Sequence, residues 1–146
     1  MPLKSEILWD YTDRAADYDK RADYSYLAIS KLVEHLGLQS GDMVADIGAG
    51  TGKLTVPLIQ RGLRVMAVEP NDAMRSIGTS NTKGQTATWS AGSGERTGLP
   101  DQSVKAAFFG SSFNVVDPTK ALAEVARIVV PGGGFACMWN HRDIDD

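Results

Sequence analysis

The segment Met43-Val44-Ala45-Asp46-Ile47-Gly48-Ala49-Gly50-Thr51-Gly52-Lys53-Leu54 runs an apolar stretch into glycines at 48, 50 and 52 and then into a helical pattern. Glycine at such positions permits positive φ and lets a ligand come against bare backbone, while the helix start beyond offers unpaired N–H groups. The spacing predicts a loop that cradles a ligand. A second apolar run, Val65-Met66-Ala67-Val68, ends at Glu69, twenty-one residues after Gly48. A carboxylate at the end of a second strand, about 20 residues past such a loop, can accept hydrogen bonds from both hydroxyls of a ribose.

Two phosphate-binding readings fit the same glycines less well. The dinucleotide fingerprint G-x-G-x-x-G, counted from Gly48, needs a glycine where Lys53 stands; the third glycine arrives one residue early, at Gly52. This weakens a nicotinamide-dependent oxidoreductase. A triphosphate-binding loop needs Gly-Lys-Ser/Thr, and Gly52-Lys53 is followed by Leu54, which brings no hydroxyl for magnesium. For proton transfer the chain offers two histidines. His35 falls inside a helical pattern, whereas His141 follows the last apolar run in Trp139-Asn140-His141-Arg142-Asp143 and is the candidate catalytic base.

These residues need elements to position them. Tyr26, Leu27, Ile29, Leu32, Val33 and Leu36 recur at helical steps, and Gly37 follows as a stop. Strand-like runs at Met43 to Ile47, Arg64 to Val68, Thr86 to Ser90, Val104 to Phe109 and Gly134 to Trp139 alternate with helical patterns near Lys53 to Arg61, Asp72 to Gly78 and Pro118 to Val129. Such alternation means βαβ units, and the unbroken apolar run Ala106 to Phe109 suits a parallel strand covered on both faces. The fold class predicted is α/β, an open, doubly wound, mainly parallel sheet of about five strands. Its loops at the carboxyl ends of the strands would hold the ligand.

With 146 residues the chain has room for one domain of ordinary size. Fifteen basic against eighteen acidic residues leave no cationic footprint for a nucleic acid, and no apolar run reaches the ~20 residues that span a bilayer. Cys137 is the only cysteine and cannot form an internal disulfide, and the N-terminus lacks the apolar core of a secretory signal, so a cytoplasmic protein is expected.

The Asp46-x-Gly48-x-Gly50-x-Gly52 loop with Glu69 resembles the first motif and ribose acid of class I S-adenosylmethionine-dependent methyltransferases. Gly92 to Val104 is similar to the G-x-A-E-x-x-x-L-P-D-x-S stretch of their type 11 group, and Ala123 to Gly133 to its E-x-x-R-V-L-x-P-G-G segment. The resemblance implies S-adenosylmethionine as cofactor, held by Asp46, Gly48, Ala49, Gly50, Glu69, Pro70, Met74, Ser93, Gly94 and Gly110. It further implies that residues 1–24 form a helical lid in which Tyr18 and Arg21 close over the cofactor, leaving 25–146 as the cofactor-binding α/β domain. No metal is implied, and the acceptor is expected to be a small molecule. Where the family commonly carries His, Trp and Phe beside the transferred methyl, this chain has Asn114, Val115 and Val116. Members of the family continue past the Trp-Asn segment for two more strands, whereas this chain stops at Asp146. The expectation is a truncated methyltransferase or one completed by a partner, through a homodimer on the uncovered edge of the fifth strand. A non-catalytic module that binds the cofactor or another protein is the alternative.

Overall fold

Strands and helices alternate as the apolar patterns require in the computed structural model, which describes residues 26–110 and 116–138. Helix α1 (Tyr26–His35) leads into β1 (Met43–Ile47), α2 (Thr55–Gln60), β2 (Arg64–Val68), α3 (Asp72–Asn81), β3 (Ala87–Ser90), β4 (Val104–Phe109), α4 (Pro118–Ile128) and β5 (Val129–Cys137). The five strands form one sheet in the order β3-β2-β1-β4-β5, every neighbouring pair parallel. Strand order reverses between β1 and β4, so the carboxyl end of β1 opens at the switch point where open α/β sheets bind ligands. The register sets Ile47 beside Val68 on one side and Phe109 on the other.

Both faces of the sheet are covered. Val44, Val65, Ala106 and Phe108 pack with Ile29, Val33 and Leu58 of α1 and α2. Ala45, Ile47, Val68, Ala107 and Phe109 pack with Ala121, Val125 and Ile128 of α4. Alternate residues of β1 and β4 thus go to opposite cores, which is why these strands read as continuous apolar runs rather than alternating ones.

Among the described residues, three element bounds differ from the sequence expectation by two residues or more, each for a local reason. Helix α2 starts at Thr55 rather than near Lys53, because Gly52 sits at φ 97° and keeps the preceding turn out of helical geometry. Helix α3 runs through Gly78 to Asn81; Gly78 does not stop it but makes room for Trp89, whose ring lies 2.1 Å from where a Cβ would stand. Strand β5 begins at Val129, before Gly134, and its pairing slips from Val104↔Val129 to Ala106↔Gly134. A Cβ on Gly133 would meet the Lys105 carbonyl at 2.4 Å, so the irregularity depends on glycine there.

Among the described residues no helix is long and apolar enough to cross a membrane, and no group of three or more His, Cys, Asp or Glu is placed to hold a metal ion. The expected lid of residues 1–24 with Tyr18 and Arg21, the segment with Asn114 and Val115, and His141 lie outside the described residues.

Candidate functional site

The loop after β1 takes the backbone conformations its glycines predict, with φ of 73° at Gly48, 60° at Gly50 and 97° at Gly52. Its N–H groups are not bare. Gly48 and Ala49 both donate to the Val68 carbonyl at 2.8 and 3.0 Å, Gly50 donates to Glu69 Oε1 at 2.7 Å, and Gly52 to the Ala49 carbonyl at 3.0 Å. The turn is thereby stitched onto the end of β2. A pyrophosphate needs several free N–H groups converging on it, and these four already have acceptors. At these four glycine-loop positions the geometry favours a ligand that lies close against backbone over an anion that captures their amides.

Glu69 is 6% exposed, and its two carboxylate oxygens accept from separate backbone amides, Oε1 from Gly50 and Oε2 from Asn71 at 2.8 Å. An ionised carboxylate offers about four acceptor positions, so each oxygen keeps one for a ligand hydroxyl. Arg75 Nη1 donates to the Glu69 carbonyl at 2.9 Å and anchors the backbone there. Asn71 also caps α3, its side chain accepting from the Met74 amide. Pro70, next to Glu69 in the chain, is exposed, and Met74 is half-buried in the first turn of α3.

Asp46 is buried in β1, two residues before Gly48. Oδ2 accepts from Thr55 Oγ1 at 2.5 Å, while Oδ1 is buried with no partner. Burial pushes its carboxyl up to about 7; the Thr55 hydrogen bond opposes that rise and the Glu69 charge adds to it.

The third wall comes from the β3–β4 connection. Ser93 and Arg96 exchange backbone hydrogen bonds at 3.0 and 3.2 Å, closing a turn, and Ser93 Oγ also accepts from the Arg96 amide. Gly92 and Gly94 are positions of close approach. A Cβ on Gly92 would stand 2.6 Å from the Thr97 carbonyl, and one on Gly94 would stand 2.7 Å from Val116 Cγ1. Gly110 is buried directly after β4. Asp46, Gly48, Ala49, Gly50, Glu69, Ser93, Gly94 and Gly110 thus all lie at or just beyond the carboxyl ends of four adjacent strands.

Sequence reading missed the residues that hold this arrangement from behind. Thr55 lies nine positions from Asp46, a spacing without helical or strand meaning across a loop. Asn81 Nδ2 donates to the Thr51 carbonyl at 3.0 Å, and Trp89, held by Thr82 Oγ1 at 2.8 Å, packs against Gly52 and Gly78. On the other side Glu124 Oε2 accepts from both the amide and hydroxyl of Thr97, at 2.8 and 2.6 Å, while Arg127 grips Glu124 with two nitrogens and reaches Asp101 at 2.6 Å. The Arg127 guanidinium, with the Thr97 hydrogen bonds, holds the Glu124 carboxyl down at about 2 despite its partial burial. The residues concerned were visible as similar to family segments, but their pairing was not.

Comparison with known proteins agrees with this architecture. A family described as the methyltransferase domain matches residues 45–137. An uncharacterized methyltransferase of Mycobacterium tuberculosis is 42% identical over 100 residues, covering 68% of this chain and 40% of the relative. A ubiquinone/menaquinone biosynthesis C-methyltransferase of Rubrivivax gelatinosus is 30% identical over 132 residues, covering 85% and 51%. The chain spans about two fifths to a half of the length of these curated relatives. Among solved structures, one from Anabaena variabilis described as a methyltransferase of an antibiotic biosynthesis pathway superposes with a TM-score of 0.69 at 31% identity, over 77% of this chain and 44% of its own. The geranyl diphosphate C-methyltransferase of Streptomyces coelicolor shares the fold, with a TM-score of 0.66 at 23% identity over 75% and 43%.

Proposed function

The chain belongs to the class I S-adenosylmethionine-dependent methyltransferase family, and from that premise we propose that it binds S-adenosylmethionine and transfers its methyl group to a small-molecule acceptor. The observation that carries the reading is Glu69, buried at the end of β2 with one oxygen on the Gly50 amide and an acceptor position left on each oxygen. A cofactor with a ribose but no phosphate suits a site whose loop amides are already engaged. When bound, S-adenosylmethionine supplies a methyl group on a positively charged sulfonium, open to in-line displacement. The residues of the chain align and shield. Glu69 receives the ribose hydroxyls, Gly48 and Gly50 let the ligand lie against the loop, Ser93 and Gly94 border the adenine, and Asp46 Oδ1 supplies a buried acceptor beneath. Pro70 and Met74 border the same side, and Gly110 faces the reacting end. Tyr18 and Arg21 are proposed to cover the cofactor. Where the acceptor must lose a proton, His141 is the proposed base.

Calorimetric titration of the 146-residue chain with S-adenosylmethionine and S-adenosylhomocysteine tests the cofactor assignment. Micromolar binding that an excess of nicotinamide dinucleotide leaves unchanged is expected; competition by the dinucleotide would overturn it. In Glu69→Ala the loss of charge-assisted hydrogen bonds, each worth ~1.5–3 kcal/mol, should weaken S-adenosylhomocysteine binding at least tenfold. Unchanged affinity in that variant would refute the ribose role.

We further propose that β5 pairs with a second copy of the chain. Among the described residues it is the last strand in the sheet order, and Phe135 is 37% exposed on it, beside a 320 Å³ groove also lined by Val125, Val129 and Pro131. Light scattering at micromolar concentration should give twice the chain mass; a strictly monomeric species would overturn the pairing.

A further inference from the structure

Helix α4 is capped by Asp117, whose Oδ1 accepts from the Thr119 and Lys120 amides at 3.0 and 3.3 Å, with Pro118 at the first helical position. An N-terminus of this kind is completed when a Glu or Gln three residues into the helix folds back to accept from the amide of the capping residue. Here that position holds Lys120, which has no acceptor. The Asp117 amide is nevertheless satisfied, at 2.9 Å, by Glu95 Oε2. The missing acid of the cap is supplied from the β3–β4 connection, twenty-two residues earlier in the chain.

Glu95 lies inside the turn that Ser93 and Arg96 close, next to Gly94. The base of that turn is tight, since a Cβ on Gly92 would collide with the Thr97 carbonyl, and its flank is tight too, since one on Gly94 would collide with Val116. Beyond the turn the same connection is fastened to α4 twice more, by Thr97 on Glu124 and by Asp101 on Arg127. Of the three fastenings only Glu95 acts within the turn itself.

We propose that Glu95 is a positioning residue that caps α4 from outside the helix and thereby sets the Ser93–Gly94 turn, and with it the adenine-side wall of the site, against the start of α4. The proposal rests on the cofactor reading above for its consequence in binding, and on the hydrogen bond to Asp117 for its consequence in the protein alone. A carboxylate suits this place twice, because it accepts an amide left without a partner in its own helix and stands at the positive end of the helix dipole.

The test separates capping from positioning. Glu95→Ala should lower the melting temperature slightly, speed amide exchange at residues 93–97 and 117, and weaken S-adenosylhomocysteine binding about three- to fivefold, the effect of one partly exposed charge-assisted hydrogen bond. Glu95→Gln, whose amide oxygen can accept from the same N–H, should restore exchange and affinity. Adding Lys120→Glu to Glu95→Ala supplies the acid within the helix; melting temperature and Asp117 exchange should recover while exchange at 93–97 stays fast and affinity stays reduced. Recovery of the 93–97 exchange in the double variant, or wild-type exchange there in Glu95→Ala, would overturn the proposal. If the unaltered chain binds no S-adenosylhomocysteine, the cofactor reading fails, and the exchange arms still decide the role of Glu95.

Discussion

A carboxyl group buried as completely as Asp46, with one oxygen on Thr55 and the other on nothing, is held against its ordinary ionisation. Its value of about 7 in the folded protein lies above the ordinary 3.8, so between those values the folded state binds more protons than the unfolded chain. Stability contributed by this group is therefore fully present below about pH 4, falls as pH rises toward 7 and is flat above it. Asp46→Asn, neutral throughout and still able to accept from Thr55, removes that dependence. The variant should match the wild type near pH 4 and be more stable by up to about 4 kcal/mol above pH 7, at ~1.4 kcal/mol per unit, while binding the cofactor less well. Urea unfolding of both proteins at intervals from pH 4 to 8 checks this; a stability difference that does not change with pH would show that the proton is not on Asp46. Strain of this kind, tolerated at the site and offset elsewhere, is what a ligand-ready residue looks like.

At the scale of elements, α3 presents a conflict between propensity and packing that packing decides. Replacing a mid-helix glycine by alanine ordinarily stabilises by about 1 kcal/mol. At Gly78 an added Cβ would stand 2.1 Å from the Trp89 ring, and Trp89 cannot swing away without leaving Thr82 and Gly52. Gly78→Ala should therefore destabilise, by about 1–3 kcal/mol, as overpacking does. It should also weaken S-adenosylhomocysteine binding, because Trp89 supports the glycine loop from behind. Chemical unfolding gives the sign directly. Periodicity showed α3 as a helix and suggested that it ended at Gly78; only the neighbouring strand explains why a glycine sits inside it instead. The slipped pairing of β5 has the same origin, since the sequence placed the strand start at Gly134, and only the close approach of Gly133 to the Lys105 carbonyl of β4 shows why the strand begins earlier, at Val129, and carries an irregularity before Gly134.

The described residues form one sheet with a core on each face, and residues of β1 and β4 contribute alternately to both. Neither core can open without exposing strands that line the other, so unfolding should be a single cooperative transition. Leu58→Ala on the α2 face and Ile128→Ala on the α4 face, each removing a side chain of 0% exposure, should each lower stability by about 2–5 kcal/mol and shift the same transition. Two separable transitions in calorimetry would show that the faces fold independently. At this scale the sequence by itself determined a good deal. The alternation of strands and helices, the parallel sheet with two covered faces, the positive-φ glycines at 48, 50 and 52 and the acid at 69 all follow from local periodicity, backbone freedom and spacing along the chain. The tertiary structure alone decided that the loop amides of Gly48, Ala49 and Gly50 are taken by Val68 and Glu69, that Asp46 keeps one oxygen without a partner, and that Glu95 caps a helix twenty-two residues away. Those are properties of strand register and close packing between distant segments, and hydrogen-bond partners and burial take their values only when the sheet is assembled.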